Sequence, residues 1–199
     1  MAKELKANGG CDSIEQKTST VYKAAFVKTN KSLHKSEVDD NLSGTTGVTL
    51  LVKGDVLYVG NVGDSRAIVA TEVNGKPKFS ALSMDQTPFR KDERDRLRAK
   101  GAQIMTLDQI EGNEPLHDSW GGETGEEIDE IGDPPRVWDS TLERPGCAFT
   151  RSIGDMVAEK VRESVMVYRC LLYCCNVVLC FVCCLTLNSA IFLTPSLLP

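Results

Sequence analysis

The first candidate functional residues lie in the stretch VGNVGDSRAIVA, residues 59–70, where polar and charged side chains interrupt an apolar run. Asp64 follows Gly63 at a point where a short turn between two strands would hold a carboxylate at the edge of a sheet. Such a carboxylate either caps the turn through its own backbone or binds a metal ion, and the spacing favours the cap. Arg66 could pair with Asp64 or with a phosphate, and a simple ion pair at the strand edge is favoured.

The sequence gives little support for other catalytic or ligand-binding motifs. The two histidines, His34 and His117, lie near no suggestive serine or cysteine motif, which argues against Ser-His and Cys-His catalysis. The Gly-Lys pair at 75–76 lacks the upstream glycine of a phosphate-binding loop. Cys180 and Cys183 have zinc-knuckle spacing but no second ligand pair, so buried or lipid-facing cysteines are favoured. The motifs therefore assign no catalytic residue and no cofactor-binding residue.

The elements that would position Asp64 are predicted from periodicity and turn residues. Apolar positions at helical spacing predict an amphipathic helix over 21–35. Short apolar runs predict strands at 47–53, 55–61, 66–72 and 77–82, with Asn74-Gly75 forming the last hairpin turn. Strands this closely spaced pair antiparallel, because parallel neighbours need long crossovers. Their nearly continuous apolar character predicts burial on both faces of the sheet.

A second helix and an acidic segment follow the strands. Thr87 as N-cap, Pro88 at the first helical position and Gly101 just beyond the end delimit the helix. Residues 111–133 hold nine acids and no Lys or Arg. A calcium loop is conceivable there, but its ligand spacing is absent, so a solvated surface insertion is favoured.

Composition limits the possible partners and compartments. A chain of 199 residues with a net charge of -5 is typical of one globular domain and argues against a nucleic-acid surface. The first twenty residues are polar and lack the apolar core of a secretory signal. Cys11 and Cys147 are the only cysteines before residue 170, which favours a reducing compartment. A cytoplasmic or nuclear location is therefore expected.

The last 30 residues, 170–199, contain no charged residue and six of the eight cysteines. Residues 170–193 are long enough to span a bilayer, and the preceding Arg162 and Arg169 would leave the soluble part on the cytoplasmic side. A frameshifted, alternatively spliced or read-through end is the competing interpretation. The predicted layout is a polar segment over 1–20, a domain over 21–160, and a divergent apolar tail over 161–199 with a possible membrane segment at about 170–193.

Five blocks in order give this chain a family resemblance. They are SGTTGV, VGNVGDSRAI, LSMDQTPFRKDERDRL, GDPPRVW and PGCAFTRSIGD. Together they resemble the metal-dependent protein phosphatases of type 2C, especially those of plants, over residues 22–159. The resemblance implies an α+β fold, a partial β-sandwich of antiparallel sheets flanked by helices, with the apolar tail appended.

The same resemblance implies hydrolysis of phosphoserine and phosphothreonine in phosphoprotein substrates, with Mg²⁺ or Mn²⁺ as cofactor. Asp64 matches a ligand of the family's weaker third metal site, and Asp155 matches a supporting position. The blocks that carry the family's other metal ligands have no counterpart before Tyr22 or after Asp155. A chain truncated at both ends of the catalytic domain, with impaired or no activity, is therefore expected.

Two alternatives accompany that expectation. One is a non-catalytic phosphatase-like module that binds a partner or substrate, with or without a membrane anchor formed by its tail. The other is a chain that does not fold stably, because a sandwich without its edge strands exposes backbone and core.

Overall fold

The computed structural model describes residues 10–53, 56–120, 132–160, 177–184 and 189–193. The helices are α1 (Gly10–Leu33), α2 (Lys91–Arg98), α3 (Leu107–Glu111) and α4 (Met156–Glu159). The strands are β1 (Gly44–Thr45), β2 (Gly47–Lys53), β3 (Val56–Val62), β4 (Arg66–Val73), β5 (Lys76–Ala81), β6 (Gln103–Met105), β7 (Arg136–Trp138), β8 (Pro145–Cys147), β9 (Ile153–Gly154), β10 (Val177–Cys184) and β11 (Ser189–Leu193). Every strand pairing in these ranges is antiparallel, which confirms the predicted α+β class.

Helix α1 begins at Gly10, earlier than the predicted start at residue 21. Its described buried positions include Val21, Ala25, Phe26 and Asn30, which recur at helical spacing. The periodicity therefore locates the buried half of the helix. The preceding turns run through the segment that the sequence marks only as polar, where no apolar stripe reveals a helix.

The chain divides into two compact units, and the first comprises residues 1–32, 46–85 and 165–199. It contains a two-stranded sheet of β2 and β3 and a four-stranded sheet ordered β11-β10-β4-β5. The sequence boundaries predicted for β2 to β5 agree with these strands within one or two residues. Asn74 and Gly75, at φ of 54° and 74°, form the predicted turn between β4 and β5.

The core of this first unit lies between its two sheets. Leu57 and Val59 of β3 pack with Ala67 and Val69 of β4, and Leu82 completes the buried cluster. The prediction of burial on both faces is wrong for β5, whose six residues are all exposed. Pro77 and two lysines stand in β5, and such residues are typical of strands at the edge of a sheet.

The second unit comprises residues 33–45 and 86–164. It contains the β1–β9 ribbon and a three-stranded sheet ordered β6-β7-β8. Its core includes Phe89, Leu97, Ile104, Trp120 and Val137, all at most 5% exposed. Leu97 comes from α2 and Ile104 and Val137 from β6 and β7, so the helix covers the small sheet.

Helix α2 differs from its prediction at its beginning. It starts at Lys91, with Arg90 as N-cap, while residues 87–90 form a turn closed by the Arg90 N–H and the Thr87 carbonyl. The predicted end of the helix is confirmed, since Gly101 adopts a φ of +86° just beyond it. Thr87 is buried, and it begins a turn that leads into the helix instead of capping it.

The described part of the apolar tail forms strands. Residues 177–184 pair with β4 through registers that include Cys180 with Val69 and Phe181 with Ile68, and residues 189–193 pair with β10. In the parts of the chain that the structure describes, no helix has the length and apolar character to cross a membrane. The rest of the segment at 170–193 lies outside the described residues.

Candidate functional site

The bend between β3 and β4 holds the candidate metal ligand. Gly63 and Asp64 form this bend, and Gly63 has a φ of +96°. A Cβ at Gly63 would lie 2.5 Å from Thr46 Cγ2, so a glycine is required here both for its backbone angle and for space. Asp64 is half-buried at the edge where the two strands end, which is the position that the sequence predicts.

Buried polar side chains fix this bend from both sides. The Asn61 side chain is fully buried, and its Nδ2 donates to the carbonyl oxygens of Gly63 and Met84, each at 3.4 Å. The Ser65 hydroxyl lies 2.7 Å from the Thr46 hydroxyl. These hydrogen bonds restrain the backbone that carries Asp64.

Arg66 forms an ion pair with Asp85. Its Nε donates to Asp85 Oδ1 at 2.9 Å and its Nη2 donates to Oδ2 at 2.8 Å. The Arg66 side chain is 49% exposed and Asp85 is 11% exposed. The ion pair at the strand edge that the sequence favours is therefore present, with Asp85 as the partner.

The carboxylates near this bend do not compose a binuclear metal centre. Hard divalent cations need several oxygen ligands at one point. Across the described ranges, no group of three or more His, Cys, Asp or Glu side chains could hold a metal ion. The described donors therefore do not fit two bridged Mg²⁺ or Mn²⁺ ions.

A second polar centre, in the other unit, surrounds Glu93 of α2. Glu93 is 1% exposed and accepts from four groups. Arg151 donates through Nη2 at 2.7 Å and through Nε at 3.1 Å, Thr150 donates its hydroxyl at 2.6 Å, and Arg96 donates at 2.8 Å. These contacts attach the TRSIGD segment to α2.

The ionised form of Glu93 is strongly favoured. Burial by itself raises the pKa of Glu93, but hydrogen bonds and charge from Arg151, followed by those from Arg96, outweigh it and lower the pKa to about 2. Sequence reasoning misses this residue because it reads as part of a charged surface helix. A signal is present, since Glu93, Arg94 and Leu97 are the buried positions of α2 and share one helical face.

Asp155 lies where the β1–β9 ribbon meets α4. It is 6% exposed, has a φ of 55°, and donates its backbone N–H to the Ser43 carbonyl at 2.8 Å. A Cβ at Gly44 would lie 2.5 Å from Asp155 Oδ2, so the carboxyl group packs directly on the glycine backbone. This geometry suits a residue that supports the ribbon.

Side chains at both ends of the acidic segment contact neighbouring elements. Asp118 receives hydrogen bonds from Arg98 at 2.7 and 3.0 Å, and these bonds from Arg98 lower the pKa of Asp118. Trp120 is buried beside the Arg94 guanidinium. Asp133 accepts from the Asp108 N–H at the start of α3. The predicted surface position agrees with residues 111–119, of which only Glu114 is less than exposed, and is wrong for the buried Trp120; residues 121–131 lie outside the described structure.

The structure places Ser119 beside His117, two residues away in the chain. The Ser119 hydroxyl and backbone nitrogen each lie 3.2 Å from His117 Nδ1, and Glu114 lies 2.6 Å from Nε2. All three residues lie within one short, largely exposed stretch of the chain, residues 114–119, and the Ser119 N–H lies against Nδ1 as a donor. This arrangement stabilises the turn and lacks the buried, preorganised surroundings that an activated nucleophile needs.

Comparison with known proteins gives one consistent relationship. The family model "Protein phosphatase 2C" matches residues 2–169. The chain is 50% identical over 141 residues to "Probable protein phosphatase 2C 35" of Arabidopsis thaliana, covering 70% of this chain and 39% of that protein. It is 29% identical over 164 residues to "Probable protein phosphatase 2C 73" of Oryza sativa subsp. japonica, covering 77% of this chain and 34% of that protein.

A solved structure supports the fold. The serine-threonine phosphatase 2C from Toxoplasma gondii is similar with a TM-score of 0.55 and 18% identity, covering 90% of this chain and 55% of that one. The motifs predict the resemblance over residues 22–159, and the family match extends further at both ends. The chain belongs to the protein phosphatase 2C family.

Proposed function

We propose that these residues are part of the catalytic domain of a metal-dependent protein serine/threonine phosphatase that acts on phosphoproteins. The observation that carries the proposal is the family match over residues 2–169, which includes the Asp64 bend and the Glu93 centre. The chain spans 39% of the Arabidopsis relative, so the described residues supply only a share of such a domain.

Asp64 is proposed as one ligand of a Mg²⁺ or Mn²⁺ ion in that domain. The support is its place in a bend whose backbone is held by Asn61 and Ser65. A single half-buried carboxylate binds a divalent cation weakly, because most of the ion's ligands would be water. The 199 residues are therefore expected to show no turnover when assayed without further polypeptide.

A chimera tests the proposed function. The aligned segment of the Arabidopsis relative is replaced by residues of this chain, and phosphate release from a phosphothreonine peptide is measured with Mn²⁺, with the parent protein as the positive control. The chimera is expected to be active. Asp64→Asn in it should lower kcat/KM by at least about tenfold, as expected when a group that holds a metal is lost.

Glu72→Gln is the matched control, because Glu72 is an exposed carboxylate on β4 and its loss should leave activity unchanged. A folded chimera without activity beside an active parent would overturn the phosphatase assignment. Metal-dependent turnover by the 199-residue chain, lost in Asp64→Asn, would show that the donor set is more complete than the described residues indicate.

A non-catalytic binding module is the second candidate function. The observation that favours it is the lack of a metal-ligand cluster among the described residues. In that case the folded chimera would bind a phosphothreonine peptide without releasing phosphate.

We propose a cytoplasmic or nuclear location, supported by the few cysteines before residue 170. The alternative is a membrane anchor at about 170–193 that leaves the preceding part in the cytoplasm. Alkaline carbonate extraction of expressing cells separates the two, since recovery in the membrane pellet would favour the anchor.

A further inference from the structure

A cavity in the second unit has no role in the function proposed above. Its volume is about 430 Å³ and it is partly open to solvent. Its lining comes from the segment before β1, which contributes Leu42, from the region of β8, and from Asp155 and Ala158. This volume lies within the range of pockets that bind small molecules or side chains.

Hydrogen bonds between two segments hold the walls of the cavity in place. The backbone N–H of Met156 donates to the Asp40 carbonyl at 2.9 Å, and that of Val157 donates to the Asn41 carbonyl at 3.0 Å. His34 lies between the same segments, with Nδ1 2.5 Å from Asp40 Oδ2 and Nε2 3.1 Å from Glu159 Oε2. A cavity with fixed walls loses little conformational entropy when it binds a ligand.

The charged groups of the lining differ in depth. Asp155 is 6% exposed, whereas Glu143 and Arg144 are exposed at the rim. Asp139 lies close enough to Arg144 for the two charges to interact. The Thr141 hydroxyl chiefly lowers the pKa of Asp139, and Arg144 lowers it further. The guanidinium thus already has an anionic neighbour, and the cavity itself presents a net negative charge.

The apolar part of the lining suits an aliphatic chain. Leu42 is 65% exposed, Pro145 is half-buried and Ala158 is 1% exposed, so an apolar surface runs from the rim to the floor. Lysine and arginine side chains combine an aliphatic stem with a cationic end and pack their stems on such surfaces. A carboxylate has about four lone-pair sites, so Asp155 can accept from a ligand as well as from its existing contacts.

We propose that this cavity binds the lysine or arginine side chain of a partner polypeptide. The stem lies against Leu42 and Pro145, and the cationic group reaches the carboxylates of Glu143 and Asp155. The polypeptide backbone on either side covers Leu42, which a small amine would leave exposed to water. This binding is independent of phosphate hydrolysis and needs no metal ion.

Cys147 provides the probe, because its half-buried thiol lines the cavity. Iodoacetamide is added to the full chain, and alkylation of Cys147 is followed by mass spectrometry of the proteolytic fragment that contains it. The ligands are an acetylated six-residue peptide with a central lysine among alanine and leucine, the same peptide with norleucine for lysine, and N-acetyl-lysine amide. The lysine peptide is expected to slow alkylation at least about threefold at saturation, because the bound side chain covers the Cys147 thiol in the cavity.

Variants separate the charge interaction from general protection. Glu143→Gln should raise the peptide concentration needed for half-protection by about threefold, whereas Glu72→Gln, which removes an exposed carboxylate in the other unit, should not change it. Asp155→Asn should weaken protection further. Circular dichroism of the variants checks that each is folded, and Glu143→Gln serves as the decisive variant if Asp155→Asn is not.

Three results would overturn the proposal. The first is equal protection by the norleucine peptide, which would show that charge has no part in binding. The second is equal protection by N-acetyl-lysine amide, which would identify a small amine as the occupant. The third is no protection by any ligand at millimolar concentration while Cys147 remains reactive.

Discussion

At the scale of single residues, a carboxylate buried between two guanidinium groups stabilises the fold only while it is ionised. Glu93 accepts from Arg151 and Arg96 and is only 1% exposed. Asp64 is in a different situation, since it is half-buried at the end of a strand and its backbone is held by its neighbours. Glu93 is therefore a stability residue, and Asp64 is a candidate for function.

Glu93→Gln is expected to lower the free energy of unfolding by roughly 3 kcal/mol, because it leaves the buried Arg151 without its counter-charge. Chemical denaturation followed by circular dichroism measures this change. Asp95→Asn on the same helix is the control: Asp95 pairs with Lys91 in an exposed i,i+4 arrangement, and its loss should cost under about 0.5 kcal/mol. Equal effects of the two substitutions would contradict the buried ion cluster.

The pH dependence of stability follows from the same group. The ordinary pKa of Glu93 is 4.5 and in the folded protein it is about 2, so the folded state favours the ionised form. Its contribution to stability is full above pH 4.5 and is lost as the pH falls from there towards 2. Denaturation curves across this range should show a steeper loss of stability in the original chain than in Glu93→Gln.

At the scale of elements, the turns of the first unit show two different reasons for a glycine. Gly75 has a φ of +74° and no atom within 4 Å of the position that a Cβ would take, whereas Gly63 combines a φ of +96° with the close approach of Thr46. Positive φ strains any residue with a Cβ, and steric overlap adds to the strain only at Gly63. The two sites therefore form a natural comparison.

Gly75→Ala is expected to cost about 1 kcal/mol of stability, from backbone strain alone. Gly63→Ala should cost at least roughly 2 kcal/mol more, because Thr46 must move and with it the hydrogen bond to Ser65. Thermal and urea denaturation of both variants measure the difference. Costs of similar size would mean that the β3–β4 bend adapts to a side chain, and would weaken the view that it positions Asp64 rigidly.

At the scale of the whole molecule, β4 has a neighbour from a distant part of the chain. It pairs with β5, next to it in sequence, and with β10, more than a hundred residues later. Pairing on both sides satisfies the backbone groups of β4 within the sheet. The described tail residues therefore complete the four-stranded sheet of the first unit.

Removal of residues 161–199 is expected to expose one edge of β4. Amide hydrogen exchange should become at least about tenfold faster at the β4 amides that donate to β10, while β3 amides paired with β2 keep their protection. Mass spectrometry or NMR of the two chain lengths reports both strands at once. Unchanged exchange in β4 would contradict the β10 pairing, and equal losses in both strands would show global unfolding instead.

Local signals are sufficient to predict much of the first unit. Alternating apolar residues, Asn74-Gly75 and Gly63 indicate strands and turns that depend on backbone preferences within a few residues, and the predicted β2 to β5 lie close to their observed bounds. The placement of Asp64 at a strand end follows from the same local pattern. The five blocks in order indicate the family for the same reason, since each is a short motif with a fixed spacing.

Tertiary structure decided the burial of Glu93, the pairing of the tail and the formation of the cavity. The acceptor for Arg151 is Glu93, 58 residues away, and a charged residue on a helix gives no local sign that it will be buried. The tail satisfies a length and hydropathy test for a membrane segment, yet the described part pairs with β4, because an apolar run fits a sheet as well as a bilayer. The cavity at Cys147 likewise forms where the segment before β1, the region of β8 and the start of α4 meet. Pairings between distant segments are set by packing, which no short stretch of sequence contains.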